Sequence, residues 1–160
     1  MIFVPLGTQP TGFNRCLKML DEMIEHYHIT EEIVVQTGNS VYESPNFKTI
    51  PFIPEESFKQ HISDASVVIS HAGSGALFNA IKQHKKLIAV ARLKKYHEMA
   101  DDHQTELVRK LAAEGYILDG THSLIDAWAR LSDFTPREND FQNSLVQELE
   151  NTINQWLNEE

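Results

Sequence analysis

Two kinds of hydrophobic pattern alternate along the chain. Short, nearly continuous apolar runs, which are typical of strands buried on both faces of a sheet, occur at residues 1–6, 33–35, 47–52, 66–70, 87–91 and 116–118. Between these runs, apolar residues recur every three or four positions, which predicts helices at residues 13–27, 55–63, 76–83, 99–114 and 123–130 and within 139–158. Strands that alternate with helices predict an α/β fold, with an open, mostly parallel, Rossmann-like sheet and helices on both faces.

The segment from residue 66 to residue 104 carries the clearest signal. A strand, a glycine-rich turn with the sequence HAGSG, a helix and a second strand follow one another, which predicts a βαβ unit. A right-handed crossover places the loops of such a unit at the carboxyl edge of the sheet. Glycines let a ligand approach the backbone, and the free N–H groups of a helix N-terminus attract anions. We therefore expect a phosphate-bearing ligand at residues 71–76.

Length and charge narrow the class of function. The 160 residues suit one domain with one core, so we predict a single domain over residues 1–160. The formal net charge of −9 argues against nucleic-acid binding, which requires a basic face. A small local basic patch is nevertheless predicted, and it comprises Lys82, Lys85, Lys86, Arg92, Lys94 and Lys95.

The composition also bears on location. The one cysteine, Cys16, cannot form a disulfide within the chain, which fits a reducing cytoplasm. No apolar run approaches the roughly 20 residues of a membrane span. The apolar start of the sequence lacks a basic segment, and we interpret it as a strand and not as a signal peptide. We therefore expect a cytoplasmic protein.

Histidines are candidate functional residues in two places. His71 could donate a hydrogen bond to a phosphate, or it could be satisfied by the loop backbone, and the sequence leaves both readings open. His97 and His103 flank an acidic segment, but on one continuous helix they would point to different faces. Metal sites on helices use residues three or four positions apart, so we expect no metal site here.

The C-terminal segment has one narrow apolar stripe, formed by Leu145, Leu149, Ile153 and Trp156 on an otherwise polar helical pattern. Two interpretations are open. The stripe could pack on the chain's own sheet, or part of it could dock a partner protein through buried apolar area.

Several motifs resemble the C-terminal domain of glycosyltransferase family 28. They are SHAGSGA at residues 70–76, RLKKY at residues 92–96, Glu98, and DDHQ at residues 101–104. The opening IFVPLGTQ, residues 2–9, resembles the first strand and glycine loop of that family. The resemblance covers roughly residues 1–118 and is closest to short, stand-alone members. Those members include PssE-like subunits of exopolysaccharide and capsule assembly and the catalytic subunit of the dolichol-linked N-acetylglucosaminyltransferase.

The resemblance implies the C-terminal, donor-binding half of a GT-B fold and a site for a nucleotide-sugar. The residues matching the donor diphosphate site are Gly7, Thr8, Gln9, His71, Gly73, Ser74, Gly75 and Ala76. Those matching the nucleoside site are Asn79 and Arg92, and those matching the donor-sugar site are Asp102, His103 and Gln104. The resemblance implies no metal or other cofactor, and it leaves the catalytic base unassigned.

One position departs from the family pattern. The family usually has a glutamate, which contacts the ribose hydroxyls, eight residues after the position of His71, and this chain has Asn79. An asparagine side chain can accept a hydrogen bond but lacks the charge that strengthens it. We expect weaker donor binding or a different donor.

The implied activity is that of one subunit of a two-component, inverting glycosyltransferase. It would move a sugar from a nucleotide-sugar, expected to be UDP-linked, to a polyprenyl-diphosphate-linked acceptor. A membrane-anchored PssD-like subunit would supply the acceptor half and hold this chain at the membrane surface. The alternatives are a non-catalytic module that binds nucleotide-sugar or activates the partner, and an enzyme similar to nucleotide-sugar epimerases.

Overall fold

The structure, a computed structural model, describes residues 1–138 together with residues 151 and 155. The predicted helix over 139–158 therefore lies outside the described residues, apart from positions 151 and 155, which are helical. All four residues of its apolar stripe lie outside them as well. Within the described part, no helix is long and apolar enough to cross a membrane.

Strands and helices alternate from the first residues onward. The strands in the described part are β1 Ile2–Pro5, β2 Ile33–Gln36, β3 Lys48–Ile50, β4 Val67–His71, β5 Lys86–Val90 and β6 Leu118–Asp119. The α-helices are α1 Asn14–Tyr27, α2 Glu55–Asp64, α3 Ser74–Lys82, α4 His103–Ala113 and α5 Leu124–Ala129. Two single 3₁₀ turns, Lys94–Tyr96 and Leu131–Asp133, follow β5 and α5.

The six strands form one sheet in the order β3-β2-β1-β4-β5-β6, and every neighbouring pair is parallel. The α/β fold is thus confirmed, with a described sheet that is parallel throughout. The strand order reverses direction between β1 and β4, which pair through Ile2 with Val67 and Phe3 with Val68. In open α/β sheets, ligands bind outside the carboxyl ends of the strands at such a switch point.

Both faces of the sheet are buried because alternate residues of each strand point to opposite sides. On one face, Ile2 and Val4 of β1 pack in a cluster with Leu17 and Leu20 of α1 and with α5. On the other face, Phe3 packs in a second cluster with residues of α2, α3 and α4. Two apolar layers therefore hold the strands, and the loops at the sheet edges are left to make the site.

Several predicted elements differ from the structure at their ends, and β6 begins at Leu118, two residues later than predicted. Helix α3 begins at Ser74, two residues before the predicted start, so the glycine turn already forms its first turn. The strand predicted over 47–52 is shorter, since Pro51 has no N–H for a sheet ladder. Helix α4 begins at His103 and not at residue 99. His97 adopts a left-handed conformation with φ 57°, and the chain turns through residues 97–102 before the helix begins.

Glu98 explains why that turn is stable. Its buried carboxylate accepts hydrogen bonds from Nε of Arg15 at 3.1 and 3.2 Å and from the Leu93 N–H at 3.0 Å. Arg15 in turn donates to the carbonyls of Thr121, at 2.7 Å, and Ala91, at 2.8 Å. This ion pair joins α1 to the loops that follow β5 and β6.

We expect Glu98→Ala to lower the free energy of unfolding by about 3 kcal/mol, because it leaves a partly buried guanidinium and a buried N–H without their partner. The control is Glu114→Ala, which breaks an exposed 2.8 Å ion pair with Arg137 and should cost less than about 1 kcal/mol. Urea denaturation of both variants measures the difference. Equal losses would show that the Glu98 pair has no special structural role.

Candidate functional site

The carboxyl ends of β1 to β4 surround a cavity of about 400 Å³, which we call the switch-point cavity. Its lining includes every residue predicted for the donor diphosphate except Ser74, and it also includes Asn79. The loops after β1 and β4 and the first two turns of α3 contribute these residues. The sheet topology therefore brings together two segments that lie more than sixty residues apart in the sequence.

His71 lies at the base of this cavity, between the backbones of Gly7 and Gly73. A β-carbon placed on either glycine would lie 2.6 Å from Nε2 of His71, closer than real β-carbons approach other atoms. Gly7 also has φ +79°, a left-handed conformation that favours glycine. We expected these glycines to admit a ligand, but the structure shows that they admit the imidazole of His71. Gly75, with nothing within 4 Å of its β-carbon position, is the glycine that is open to the cavity.

The imidazole of His71 is neutral near pH 7. Burial lowers the pKa of His71 to about 3, and the nearby positive charge of Arg92 lowers it further in the same direction. Its Nδ1 is buried and has no hydrogen-bond partner among the described residues. A buried polar atom without a partner is costly, and this nitrogen is closed off from water although the residue lines the cavity.

The N-terminus of α3 provides the positive end of a helix dipole at the same place. Gly73 is its N-cap, no side chain caps the first turn, and no acidic residue lies in that turn. The free N–H groups of such a turn, together with the dipole, favour an anion. Gly75 and Ala76 expose this turn to the switch-point cavity, whereas Ser74 is not part of its lining.

The loop after β1 is fixed by side chains from the β2 region. Gln36 accepts a hydrogen bond from the Gly7 N–H at 3.3 Å and donates to the carbonyls of Gly7 and Pro51, both at 3.0 Å. Asn39 donates to the carbonyls of Thr8, at 3.4 Å, and Gln9, at 2.8 Å. These bonds shape the loop without any ligand.

The residues predicted to contact the donor sugar do not line the same cavity. Asp102 and His103 belong to a second cavity of about 510 Å³, the α4 cavity, which also includes Lys95 and Arg109. Gln104 is buried, and its side-chain oxygen accepts a 2.9 Å hydrogen bond from the N–H of Arg92. The resemblance implied that His103 and Gln104 both contact the donor sugar. In the structure only His103 of the two lines the α4 cavity, whereas the side chain of Gln104 bonds to the backbone.

Arg92 was expected to contact the nucleoside, but the structure places its guanidinium inside the protein. The side chain is 1% exposed and donates to backbone carbonyls of residues 6, 11, 12 and 98. Burial lowers the pKa of Arg92, although an arginine stays charged at neutral pH. The nucleoside contact thus stays a prediction, and Asn79 is the one of the two residues that lines the switch-point cavity.

The predicted basic patch does not form. Lys85 and Lys86 lie at the start of β5, whereas Lys94 and Lys95 follow its end. The length of the strand therefore separates the two pairs, which lie at opposite edges of the sheet. Lys85 donates to the carbonyls of residues 63 and 65, and Lys86 to that of residue 131. These ammonium groups are bound to the chain's own backbone.

Sequence reasoning missed part of the lining. Phe52, Ile53 and Phe58 form an apolar wall of the switch-point cavity, and Glu55 adds a carboxylate. Phe52 is 55% exposed, so about half of its surface is free to contact a ligand. The sequence could have predicted this wall, because the segment follows β3 and so reaches the same edge of the sheet. Within the described residues, no group of three or more histidine, cysteine or acidic side chains could hold a metal.

Comparison with known proteins gives a consistent result. The family described as "Glycosyltransferase family 28 C-terminal domain" matches residues 1–155. A mouse protein described as "UDP-N-acetylglucosamine transferase subunit ALG13" is 28% identical over 144 residues, which are 81% of this chain. That match spans only 11% of the mouse protein, so most of the relative has no counterpart here.

Solved structures share the fold. The solution structure of ALG13 superposes with a TM-score of 0.62 at 16% identity, covering 92% of this chain and 93% of that one. MurG from Acinetobacter baumannii superposes with a TM-score of 0.57 at 18% identity, covering 81% of this chain but 40% of MurG. MurG is a GT-B glycosyltransferase, and this chain, which matches a C-terminal domain family, covers 40% of it and corresponds to the C-terminal half of that fold.

We expect Gly73→Ala to destabilise the protein by about 1–3 kcal/mol, because a methyl group would force His71 out of its position. Backbone strain does not contribute, since Gly73 has φ −75°. Gly75→Ala, two residues away and open to the cavity, is the control and should be neutral or stabilising by up to about 1 kcal/mol. Thermal and urea unfolding measure both, and equal stability of the two variants would contradict the packing described for His71.

The depressed pKa of His71 makes stability depend on pH. An unfolded histidine binds a proton below about pH 6.5, whereas folded His71 stays neutral down to about pH 3. Protons therefore favour the unfolded state, and this contribution should cost about 2 kcal/mol on going from pH 8 to pH 5. The His71→Asn variant should lack that part of the pH dependence. Identical pH profiles of the two proteins in urea denaturation would contradict a neutral, buried His71.

Proposed function

Because this chain belongs to the glycosyltransferase family 28 C-terminal domain family, we propose that it binds the nucleotide-sugar donor of a glycosyltransferase that is completed by a partner chain. The transferase type follows from family membership. The donor, the acceptor and the two-component organisation are our inference from the site and from relatives that are named as transferase subunits.

The observation that carries the proposal is the switch-point cavity. A free helix N-terminus, the neutral side chain of His71 and the open Gly75 all border it. A diphosphate is the ligand that best fits these features, because its charge suits the helix dipole and its oxygens accept from N–H groups. Among the residues that the structure describes, no lysine or arginine side chain lines the cavity, so backbone N–H groups would supply most of the stabilisation.

The rest of a nucleotide-sugar can be arranged along the carboxyl edge. The apolar wall of Phe52, Ile53 and Phe58 suits the flat face of a base, and Asn79 lies one turn beyond Gly75 for a ribose hydroxyl. The α4 cavity, with Asp102 and His103, would take the sugar at the opposite end. By analogy with the named relatives, UDP-N-acetylglucosamine or a related UDP-sugar is the proposed donor.

The chemistry that this half could contribute is stabilisation of the leaving group. Negative charge develops on the departing nucleotide diphosphate, and preorganised N–H donors at that position lower the barrier. The step is proposed to proceed with inversion, without a metal. The base that deprotonates the acceptor hydroxyl would come from the partner, a membrane-anchored PssD-like subunit that presents a polyprenyl-diphosphate-linked acceptor. This chain would then work in the cytoplasm, held at the membrane through that subunit.

A second candidate is a non-catalytic module that binds donor or activates its partner. Asn79 favours it, because a neutral amide binds a ribose diol less strongly than a carboxylate does. Titrating UDP-sugar with and without the partner, while following sugar transfer, separates the two. Donor binding to this chain with no effect of its site variants on transfer would favour the module. An epimerase-like enzyme would instead convert UDP-sugar without any acceptor.

We expect UDP to bind the isolated chain, and Gly75→Val to lower its affinity at least tenfold, because the valine side chain would fill the open space before the α3 N-terminus. Ala113→Val introduces the same side chain at an exposed position of α4 and should leave the affinity unchanged. Isothermal titration calorimetry measures both. Failure of the wild-type chain to bind UDP, or normal binding by folded Gly75→Val, would refute the proposed donor site.

A further inference from the structure

We propose that Arg92 is a positioning residue that ties both ends of the β1 loop, residues 7–10, with one guanidinium group, and so fixes the loop in its donor-binding shape. What the loop binds rests on the proposed function. The tie itself is a property of the free protein and can be tested without a ligand.

Different nitrogens of Arg92 bind the two ends of the loop. Nη2 donates to the carbonyl of Leu6, just before the loop, at 3.1 Å. Nη1 donates to the carbonyls of Thr11, at 2.9 Å, and Gly12, at 3.4 Å, just after it. One rigid, planar group therefore sets the distance between the entrance and the exit of the loop.

The guanidinium of Arg92 is enclosed by the protein. It is 1% exposed and lies over the ring of Phe13, with its central carbon 4.7 Å from the ring centre. The nearest buried carboxylate, Glu98, directs its oxygens to Arg15 and to the Leu93 N–H. Arg92 is thus held by backbone carbonyls and an aromatic face. Both terminal nitrogens of the guanidinium donate to the loop ends, and Nε is buried without a partner among the described residues.

Arg92 also connects the loop to the start of α4. Its backbone N–H donates to the side chain of Gln104 at 2.9 Å, and its Nη1 lies 3.4 Å from the carbonyl of Glu98. Gln104 directly follows His103, which lines the α4 cavity. One residue therefore relates the position of the diphosphate loop to that of the proposed sugar-binding residues.

Lysine cannot replace this arrangement. An ammonium group is a single point, whereas the guanidinium presents separate nitrogens in a fixed fork. Arg92→Lys keeps the positive charge near the site and loses the two-ended tie. Arg92→Met loses both. A comparison of the two variants therefore separates positioning from long-range attraction between Arg92 and a diphosphate.

The first test is UDP affinity by calorimetry. Both variants should bind UDP about tenfold more weakly than wild type, because the ligand must then order the loop. Leu111→Ala, a core truncation in α4, serves as a control that is destabilised without touching the loop, and it should bind UDP normally. Weakening in Arg92→Met alone would assign the effect to charge and overturn the positioning role. Weakening in all three variants would assign it to general instability and overturn it too.

The second test uses amide hydrogen exchange in the free protein, measured by NMR. The Gly7 and Phe13 N–H groups, which bond to Gln36 and Ser40, should lose protection in Arg92→Lys relative to Leu111→Ala. Unchanged protection would overturn the proposal, whether or not Arg92→Met folds. If wild type binds no UDP, the donor site is refuted, whereas the exchange result still decides whether Arg92 ties the loop.

Discussion

Every buried peptide group at the carboxyl edge of the sheet needs a hydrogen-bond partner, and this constraint shapes the whole site. Beyond the last strand residues the ladder bonds end, and polar side chains take their place. Gln36 donates to the carbonyl of Gly7 in the β1 loop, and Arg92 donates to carbonyls at both ends of that loop. Gln104 and Glu98 accept hydrogen bonds from N–H groups of the chain after β5. These side chains are buried although they are polar. The loops consequently have defined shapes before any ligand arrives.

The sheet could be predicted from the sequence because its signals are local. Each buried strand is a short apolar run, each helix has its own periodicity, and the alternation of the two fixes a parallel sheet with its loops at one edge. The ends of helices and strands were predicted less accurately where a contact with a residue distant in the sequence determines them. Helix α4 begins at His103 because Glu98, five residues earlier, is held by Arg15 of α1, and no pattern near Glu98 shows that contact.

The site residues also differ in whether the sequence could predict their positions. Positions in the first two turns of α3, such as Gly75 and Asn79, lie at the cavity because topology places them there, and topology was predictable. The direction of a long side chain was not. Arg92 follows a strand end, as a ligand-binding residue would, yet its guanidinium turns inward to the carbonyls of another loop. The glycines around His71 were recognised as special, but whether a glycine makes room for a ligand or for a neighbouring side chain depends on packing that only the structure gives.

The side-chain amide of Gln36 behaves like an additional peptide unit of the sheet. It accepts from the N–H of Gly7 and donates to its carbonyl, which continues the pairing of β1 with β2 by one rung beyond Pro5. The same nitrogen also faces the carbonyl of Pro51. Chemical ageing by deamidation would turn this donor into an anionic oxygen opposite two carbonyl oxygens. The loss of one nitrogen atom, with no change in side-chain size, would therefore loosen the loop over the cavity.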